Sequence, residues 1–318
     1  MTRRVAAIDC GTNSIRLLVA DGGPEREALT DVDRRMEIVR LGQGVDTTGR
    51  LAPEALDRTM HALSEYAAVI TRLGARDVRM VATSATRDAV NAGEFVRRVT
   101  AVLGVAPEVL SGDEEARLSF TGATAELGAG PSAEPPYLVV DIGGGSTEFV
   151  LGAAGMVTAA TSVDIGCVRM TERHLRSDPP SPEQAAAATA DIDAAVSHAA
   201  AQVGAGRART LVGLAGSVTT VAGITLDLPA YDPARLHHAR VPAAEVHAVT
   251  ARLLSLTRAD RARIVVMHPG RADVIGAGAL ILDRIMSLLG LAEVLVSEHD
   301  ILDGIAWSLV APQTAPGR

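Results

Sequence analysis

Residues 5–8 and 15–19 are aliphatic runs on either side of a Gly-Thr-Asn turn, and their composition suits two strands joined tightly. The period then changes. After Pro53, apolar residues fall at Leu56, Met60, Leu63, Ala67, Ile70 and Leu73 before Gly74, the spacing of an amphipathic helix that starts on a proline and stops on a glycine. The same reading predicts a strand over 78–82, a helix over 95–103 ended by Gly104, and another helix from Ser111 towards Ala125. Residues 128–136, rich in Gly and Pro, form the clearest break and read as a loop near a lobe boundary. Beyond the break the pattern restarts, with strands at 137–140 and 148–151 around a second glycine turn. A long Ala-rich helix follows Pro182. Then come a strand over 211–213, a helix over 271–289, a strand over 294–296 and a last helix over 301–310.

Strands alternating with helices predict an α/β protein, with a mixed or parallel sheet flanked by helices in each of two lobes. The interval from Asp9 to Asp141 is too long for a solenoid repeat and implies that a whole lobe is duplicated. The expected division is 1–125 and 126–298, with a final helix at about 299–311 packing back on the first lobe.

Composition narrows the function. Among 318 residues no apolar stretch is long enough to span a bilayer, and Asp9 cuts short the apolar run at the N-terminus, so neither a membrane anchor nor a signal peptide is expected. A cytoplasmic protein fits. Cys10 and Cys167 are the only cysteines and stand far apart, which excludes a disulfide framework and a cysteine-rich zinc site. All 30 basic residues are Arg, so Schiff-base chemistry, the P-loop lysine and the protein-kinase lysine are excluded together. A net charge of -8 with 2% aromatic residues argues against nucleic acid. A polyanion would have to bind in a local arginine-lined cleft.

The pattern Asp-x-Gly-x-x-Ser occurs twice, as Asp9-Cys10-Gly11-Thr12-Asn13-Ser14 and Asp141-Ile142-Gly143-Gly144-Gly145-Ser146, each time between two strands. That setting differs from dinucleotide fingerprints, which run strand, loop, helix. Successive backbone N–H groups can grip a phosphate where no Cβ blocks its approach, and Ser14, Ser146 and Thr147 add hydroxyls. Asp9 and Asp141 are suited to hold hydrated Mg²⁺ or to orient water. In Ser111-Gly112-Asp113-Glu114-Glu115, the Ser-x-x-Glu spacing matches a capping box that occupies Glu114. Glu115, roughly 100° further around the helix, is left free as a candidate general base or as a partner of the helix dipole. Arg87 follows a strand in Ala82-Thr83-Ser84-Ala85-Thr86-Arg87, where open α/β sheets place ligands; it reads as a bidentate phosphate fork or a surface ion pair. Arg169 and Arg271 carry weaker forms of the same argument. His237, His238 and His268 have no Glu or Cys at ligand spacing and read as loop residues.

Together these segments resemble the Ppx/GppA phosphatases, comprising exopolyphosphatases and guanosine pentaphosphate phosphohydrolases, within the actin, sugar-kinase and chaperone ATPase superfamily of ribonuclease H-like folds. The resemblance rests on both glycine turns, on 82–87, on Ser111-Gly112-Asp113-Glu114-Glu115-Ala116-Arg117 and on Gly213-Leu214-Ala215-Gly216-Ser217. It implies two lobes around a cleft, Mg²⁺ dependence with a monovalent cation such as K⁺ as a further option, a homodimer, and release of orthophosphate from a chain end. Matched motif by motif, it implies Glu115 as general base, with Asp141 and Glu148 assisting the water or metal. Gly11, Thr12, Asn13, Ser14, Arg87, Gly143, Gly144, Gly145, Ser146 and Thr147 would bind phosphate, and Asp9, Asp141 and Glu148 would form the metal set. Gly216 and Ser217 fall in the superfamily's adenosine loop, with Arg271 also on the substrate. Longer members add a C-terminal helical domain for which no room remains before Arg318, and a segment usually ending Leu-Arg-x-Gly is here Ile301-Leu302-Asp303-Gly304. The expected substrate is inorganic polyphosphate. The alternatives are guanosine pentaphosphate, a non-catalytic alarmone or phosphate regulator, and a sugar kinase, the last disfavoured by a carboxylate placed to activate water.

Overall fold

The computed structural model describes residues 2–23, 28–127, 133–153 and 155–310, so part of the predicted break, 128–132, lies outside the described residues. The first sheet contains β1 (Arg3–Cys10), β2 (Ser14–Gly22), β3 (Thr30–Ile38), β4 (Asp77–Ala82) and β5 (Glu108–Val109), in the order β3-β2-β1-β4-β5. The second contains β6 (Tyr137–Ile142), β7 (Thr147–Ala153), β8 (Met156–Val163), β9 (Thr210–Leu214), β10 (Arg240–Pro242) and β11 (Glu293–Val296), ordered β10-β11-β9-β6-β7-β8. Without its edge strand β10, the second order repeats the first. In both, the first three strands are antiparallel and the next two run parallel to the first. This is the predicted α/β architecture of two mixed sheets with flanking helices.

The glycine turns occupy the same place in each copy. Gly11 N–H donates to Ser14 O at 2.9 Å, and Gly143 N–H donates to Ser146 O at 3.0 Å. The sheet register sets Asp9 opposite Arg16 in the first copy and Asp141 opposite Glu148 in the second.

Each sheet is covered on both faces. The outer face of the first carries helices Pro53–Leu73 and Ala92–Leu103, and that of the second carries Pro182–Val203, Ala215–Thr225, Ala243–Ser255 and Ile275–Leu289. The inner faces are covered by an exchange. Helix Gly112–Thr124 packs Ala116, Phe120 and Ala123 on Tyr137, Val139, Val150 and Val212 of the second sheet. Helix Ile301–Val310, which follows that sheet, packs Ile301, Leu302, Ile305 and Ala306 on Val5, Ala7, Leu18 and Val81 of the first. The two helices cross at glycines. A Cβ on Gly122 would lie 1.8 Å from Asp300 O, and one on Gly304 would lie 2.1 Å from Leu118 O, so only glycine permits this backbone contact. Among the described residues no helix is long and apolar enough to cross a membrane.

Two expectations change. The helix read over 271–289 starts at Ile275, and Arg271 ends a short turn, Pro269–Arg271, whose first N–H groups are met by His268. Strands β3 and β8 and helix Ala243–Ser255 were not predicted.

Candidate active site

The ends of β1 and β6 bring both glycine turns to one cleft, which encloses about 100 Å³ between the sheets. Its wall includes Asp9, Gly11, Thr12, Asn13, Ser14, Arg16, Glu115, Asp141, Gly143, Gly144, Ser146, Gly216, Ser217 and Arg271. The two turns touch. A Cβ on Gly144 would meet Thr12 Cβ at 2.8 Å, and one on Gly145 would meet Ser84 Oγ at 2.6 Å, while Thr12 Oγ1 and Ser84 Oγ share a hydrogen bond of 2.9 Å.

Glu115 reaches the cleft because its neighbour is engaged elsewhere. Ser111 Oγ accepts from Glu114 N–H at 3.3 Å, and Glu114 Oε2 accepts from Ser111 N–H at 2.9 Å, the predicted capping box. Glu114 stays exposed, whereas Glu115 is 8% exposed. Arg87 Nη1 donates to Glu115 Oε2 at 3.1 Å and to Leu110 O at 2.9 Å. Burial, with the Glu148 charge adding to it and Arg87 opposing, holds the Glu115 carboxyl well above the usual carboxylate range. Asp141 accepts from Ser119 Oγ at 2.6 Å and is pushed up to about 6, first by burial and then by Asp300. Glu148, 1% exposed, accepts from Ser162 Oγ at 2.7 Å and is pushed up to about 8 by burial and then by Asp141.

The first copy uses the equivalent position differently. Arg16 stands where the second copy has Glu148, and it donates to Asp9 Oδ2 from Nε at 3.0 Å and from Nη2 at 2.6 Å. Its Nη1 pairs with Asp300, whose other oxygen accepts from Leu302 N–H at 3.0 Å. Although burial opposes it, this pairing holds the Asp300 carboxyl below the usual range. Burial raises Asp9, and its Oδ1 is buried without a hydrogen-bond partner. Arg271 makes one long contact, Nη1 to Gly216 O at 3.4 Å, and burial first, then the Arg16 charge, lower its guanidinium from the ordinary value. It is a cation in a cleft with no carboxylate bonded to it among the described residues. That suits an anionic ligand.

Several expected ligands do not line this cleft. The Thr147 hydroxyl is buried and donates to Ile165 O, because in strand β7 it points into the second lobe. Gly145 backs onto Arg169, whose Nε donates to Gly145 O at 2.7 Å while its other nitrogens hold Asp46 and Asp88. Arg169 is therefore a strut between the lobes. Arg87 is turned onto Glu115, and Glu148 lies behind the wall. Arg16 and Asp300 were not singled out in the sequence. Burial pushes Cys167 up to about 11 and raises Cys10 further, so neither thiol is a nucleophile. His268 remains a loop residue, but His237 and His238 are stacked at 3.8 Å beside His299.

An oxygen-rich donor set suits a hard divalent cation. Asp9, with its unsatisfied Oδ1, and Asp141 face the cleft and fit Mg²⁺; Glu148 is held behind them by Ser162.

Comparison with known proteins shows the family. The family model described as the Ppx/GppA phosphatase family matches residues 18–312. The chain is 52% identical to Exopolyphosphatase 2 of Mycobacterium tuberculosis over 317 residues, covering 96% of this chain and 98% of that protein. The crystal structure of an exopolyphosphatase-like protein superposes with a TM-score of 0.92 at 42% identity, covering 96% and 97% of the two chains. The Ppx/GppA family member from Aquifex aeolicus superposes with a TM-score of 0.82 at 30% identity, covering 99% and 100%. The chain belongs to the Ppx/GppA phosphatase family.

Proposed function

We propose that this protein is an exopolyphosphatase that removes the terminal phosphoryl group of inorganic polyphosphate by in-line attack of water. The observation that carries this reading is that Glu115 and Asp141 line one cleft walled by both glycine turns. Glu115 takes the proton of the attacking water. Its raised affinity for protons makes it a stronger base than an exposed glutamate, and Arg87 fixes its orientation rather than binding substrate. Backbone N–H groups of the turns and Arg271 receive the phosphoryl oxygens, placing fixed donors where charge develops. Mg²⁺, held by Asp9 and Asp141, would supply further neutralisation of those oxygens.

A second cavity of about 650 Å³ shares Arg16, Gly216 and Arg271 with the cleft and provides room for the rest of a phosphate chain. Its apolar wall of Val265, Val266, Met267 and Tyr231 favours guanosine pentaphosphate as a second reading, because a nucleoside needs such a surface.

The test is phosphate release from short polyphosphate, long polyphosphate and guanosine pentaphosphate, each with and without Mg²⁺. Glu115→Gln should lower turnover by at least about 100-fold, the usual contribution of a general base, while polyphosphate still binds. Inactivity of the native chain on all three substrates would sink the enzyme reading, and an active Glu115→Gln variant would remove Glu115 from the mechanism.

A further inference from the structure

Three segments converge outside the catalytic cleft, with His299 at the wall of the second cavity. Glu126 follows helix Gly112–Thr124, His237 follows the turn Pro233–Leu236, and His299 precedes helix Ile301–Val310. His237 Nε2 lies 3.5 Å from Glu126 Oε2, and His299 Nδ1 lies 3.7 Å from the same oxygen. One donor atom from each residue lies within 4.8 Å of the other two. These separations are long for hydrogen bonds, and His237 Nε2 is buried with no hydrogen-bond partner. They come close to a different spacing. Ligands held tetrahedrally at about 2.0–2.1 Å from a zinc ion stand roughly 3.3–3.4 Å from one another.

We propose that Glu126, His237 and His299 form a second metal site, selective for a zinc-class divalent cation and distinct from the oxygen-lined site in the cleft. Two imidazoles and one carboxylate suit Zn²⁺ and disfavour Mg²⁺, which prefers oxygen donors and keeps its waters. Three protein ligands leave the fourth position to water. The site clamps the end of one crossing helix to the segment that begins the other.

Occupancy carries a consequence for that segment. His237 Nδ1 now accepts from Glu298 N–H at 3.2 Å. A metal on Nε2 puts the imidazole proton on Nδ1, so this contact must be given up and the backbone at Glu298 must turn. Two residues further on, Asp300 holds Arg16 at the catalytic cleft.

The experiment uses the tag-free full chain, with Zn²⁺ binding measured by competition against a chromogenic chelator in the presence of excess Mg²⁺. One equivalent should bind, and Co²⁺ in its place should give the spectrum of a four-coordinate nitrogen and oxygen site without thiolate bands. Glu126→Gln and His237→Gln, each checked for native circular dichroism, should lower Zn²⁺ affinity by more than the roughly 10–100-fold that outer-shell changes cost. The surface control His247→Gln, whose imidazole contacts Asp283, should bind as the native chain does. The proposal is overturned if the native chain binds no Zn²⁺, if Co²⁺ reports thiolate ligation, or if Glu126→Gln and His237→Gln bind undiminished. The native-chain measurements decide the matter even if a variant misfolds. None of these readouts depends on polyphosphate hydrolysis.

Discussion

The carboxylates at the cleft are set apart by what their neighbours do. Glu114 and Glu115 are adjacent in sequence, yet the capping box keeps one at the surface and leaves the other to be buried beside Arg87. That distinction was legible, because a Ser-x-x-Glu spacing is local. Arg16 was not legible, since its role depends on the register that sets it opposite Asp9 and on Asp300, which lies 284 residues further along the chain. The segment that departs from the family's Leu-Arg-x-Gly is likewise tied at a distance. Leu302 stands at the arginine's position, and the next residue, Asp303, receives Arg34 from strand β3 at 2.5 Å. The triad of Asp9, Arg16 and Asp300 yields a prediction. Arg16→Met leaves two buried carboxylates without their shared cation and should cost about 3–5 kcal/mol in urea unfolding at neutral pH. Asp300 is held below its ordinary value, so its contribution is present above the unfolded value and is lost as pH falls. The deficit of the variant should therefore shrink in acid. An equal deficit at pH 7 and at about pH 2, well below the unfolded value of about 3.9, would show that the pairing is not its cause.

Elements with an apolar face were readable, and those without one were not. Strands β1, β2, β6 and β7 are buried aliphatic runs, and helix Pro53–Leu73 has a proline at its start and a left-handed Gly74 at its end. Strand β3, with the sequence TDVDRRMEI, lies at a sheet edge and is mostly exposed, so no hydrophobic period marks it. Helix Ala243–Ser255 is different, because Val246, Val249, Thr250 and Leu253 are buried at helical spacing and the signal was available in the sequence. Neither Gly122 nor Gly304 announces itself as a crossing point, since each needs the other helix to acquire meaning. Gly304→Ala should force the helices apart and cost about 1–3 kcal/mol, the usual range for overpacking. These helices carry Glu115 and lead from Asp300, so polyphosphate turnover should fall more than the loss of folded protein explains. Thermal unfolding and kcat measured on the folded fraction separate the two effects. A variant with native stability would mean that the contact is looser than the crossing requires.

For the molecule as a whole, duplication was legible in the paired Asp-x-Gly-x-x-Ser motifs, whereas the exchange of helices between sheets was not, because it is written in packing rather than in period. The exchange gathers carboxylates from both copies at one place. Glu115 arrives on the helix that covers the second sheet, beside Asp141 and Glu148 of that sheet, and all three are held above their ordinary values, with burial the chief cause. A carboxyl raised in the folded state binds its proton more tightly there than in the unfolded chain. Its stabilising effect is complete below the unfolded value and is lost as pH rises through the folded one. For Asp141 and Glu148 that window runs from about 4 to about 8. The native chain without divalent cations should therefore lose stability across this range, and Glu148→Gln should flatten the decline. Unfolding by urea in a chelating buffer provides the measure. At pH 5 the variant should equal or fall slightly below the native chain, because Glu148 is already protonated when folded. At pH 8 it should be more stable by on the order of 2 kcal/mol. Added Mg²⁺ should recover part of the native chain's stability at pH 8 and do less for the variant, because a cation at Asp9 and Asp141 removes the Asp141 repulsion that adds to burial in raising Glu148. Parallel stability curves for the two proteins from pH 5 to pH 8 would mean that Glu148 is not the group whose charge the fold resists.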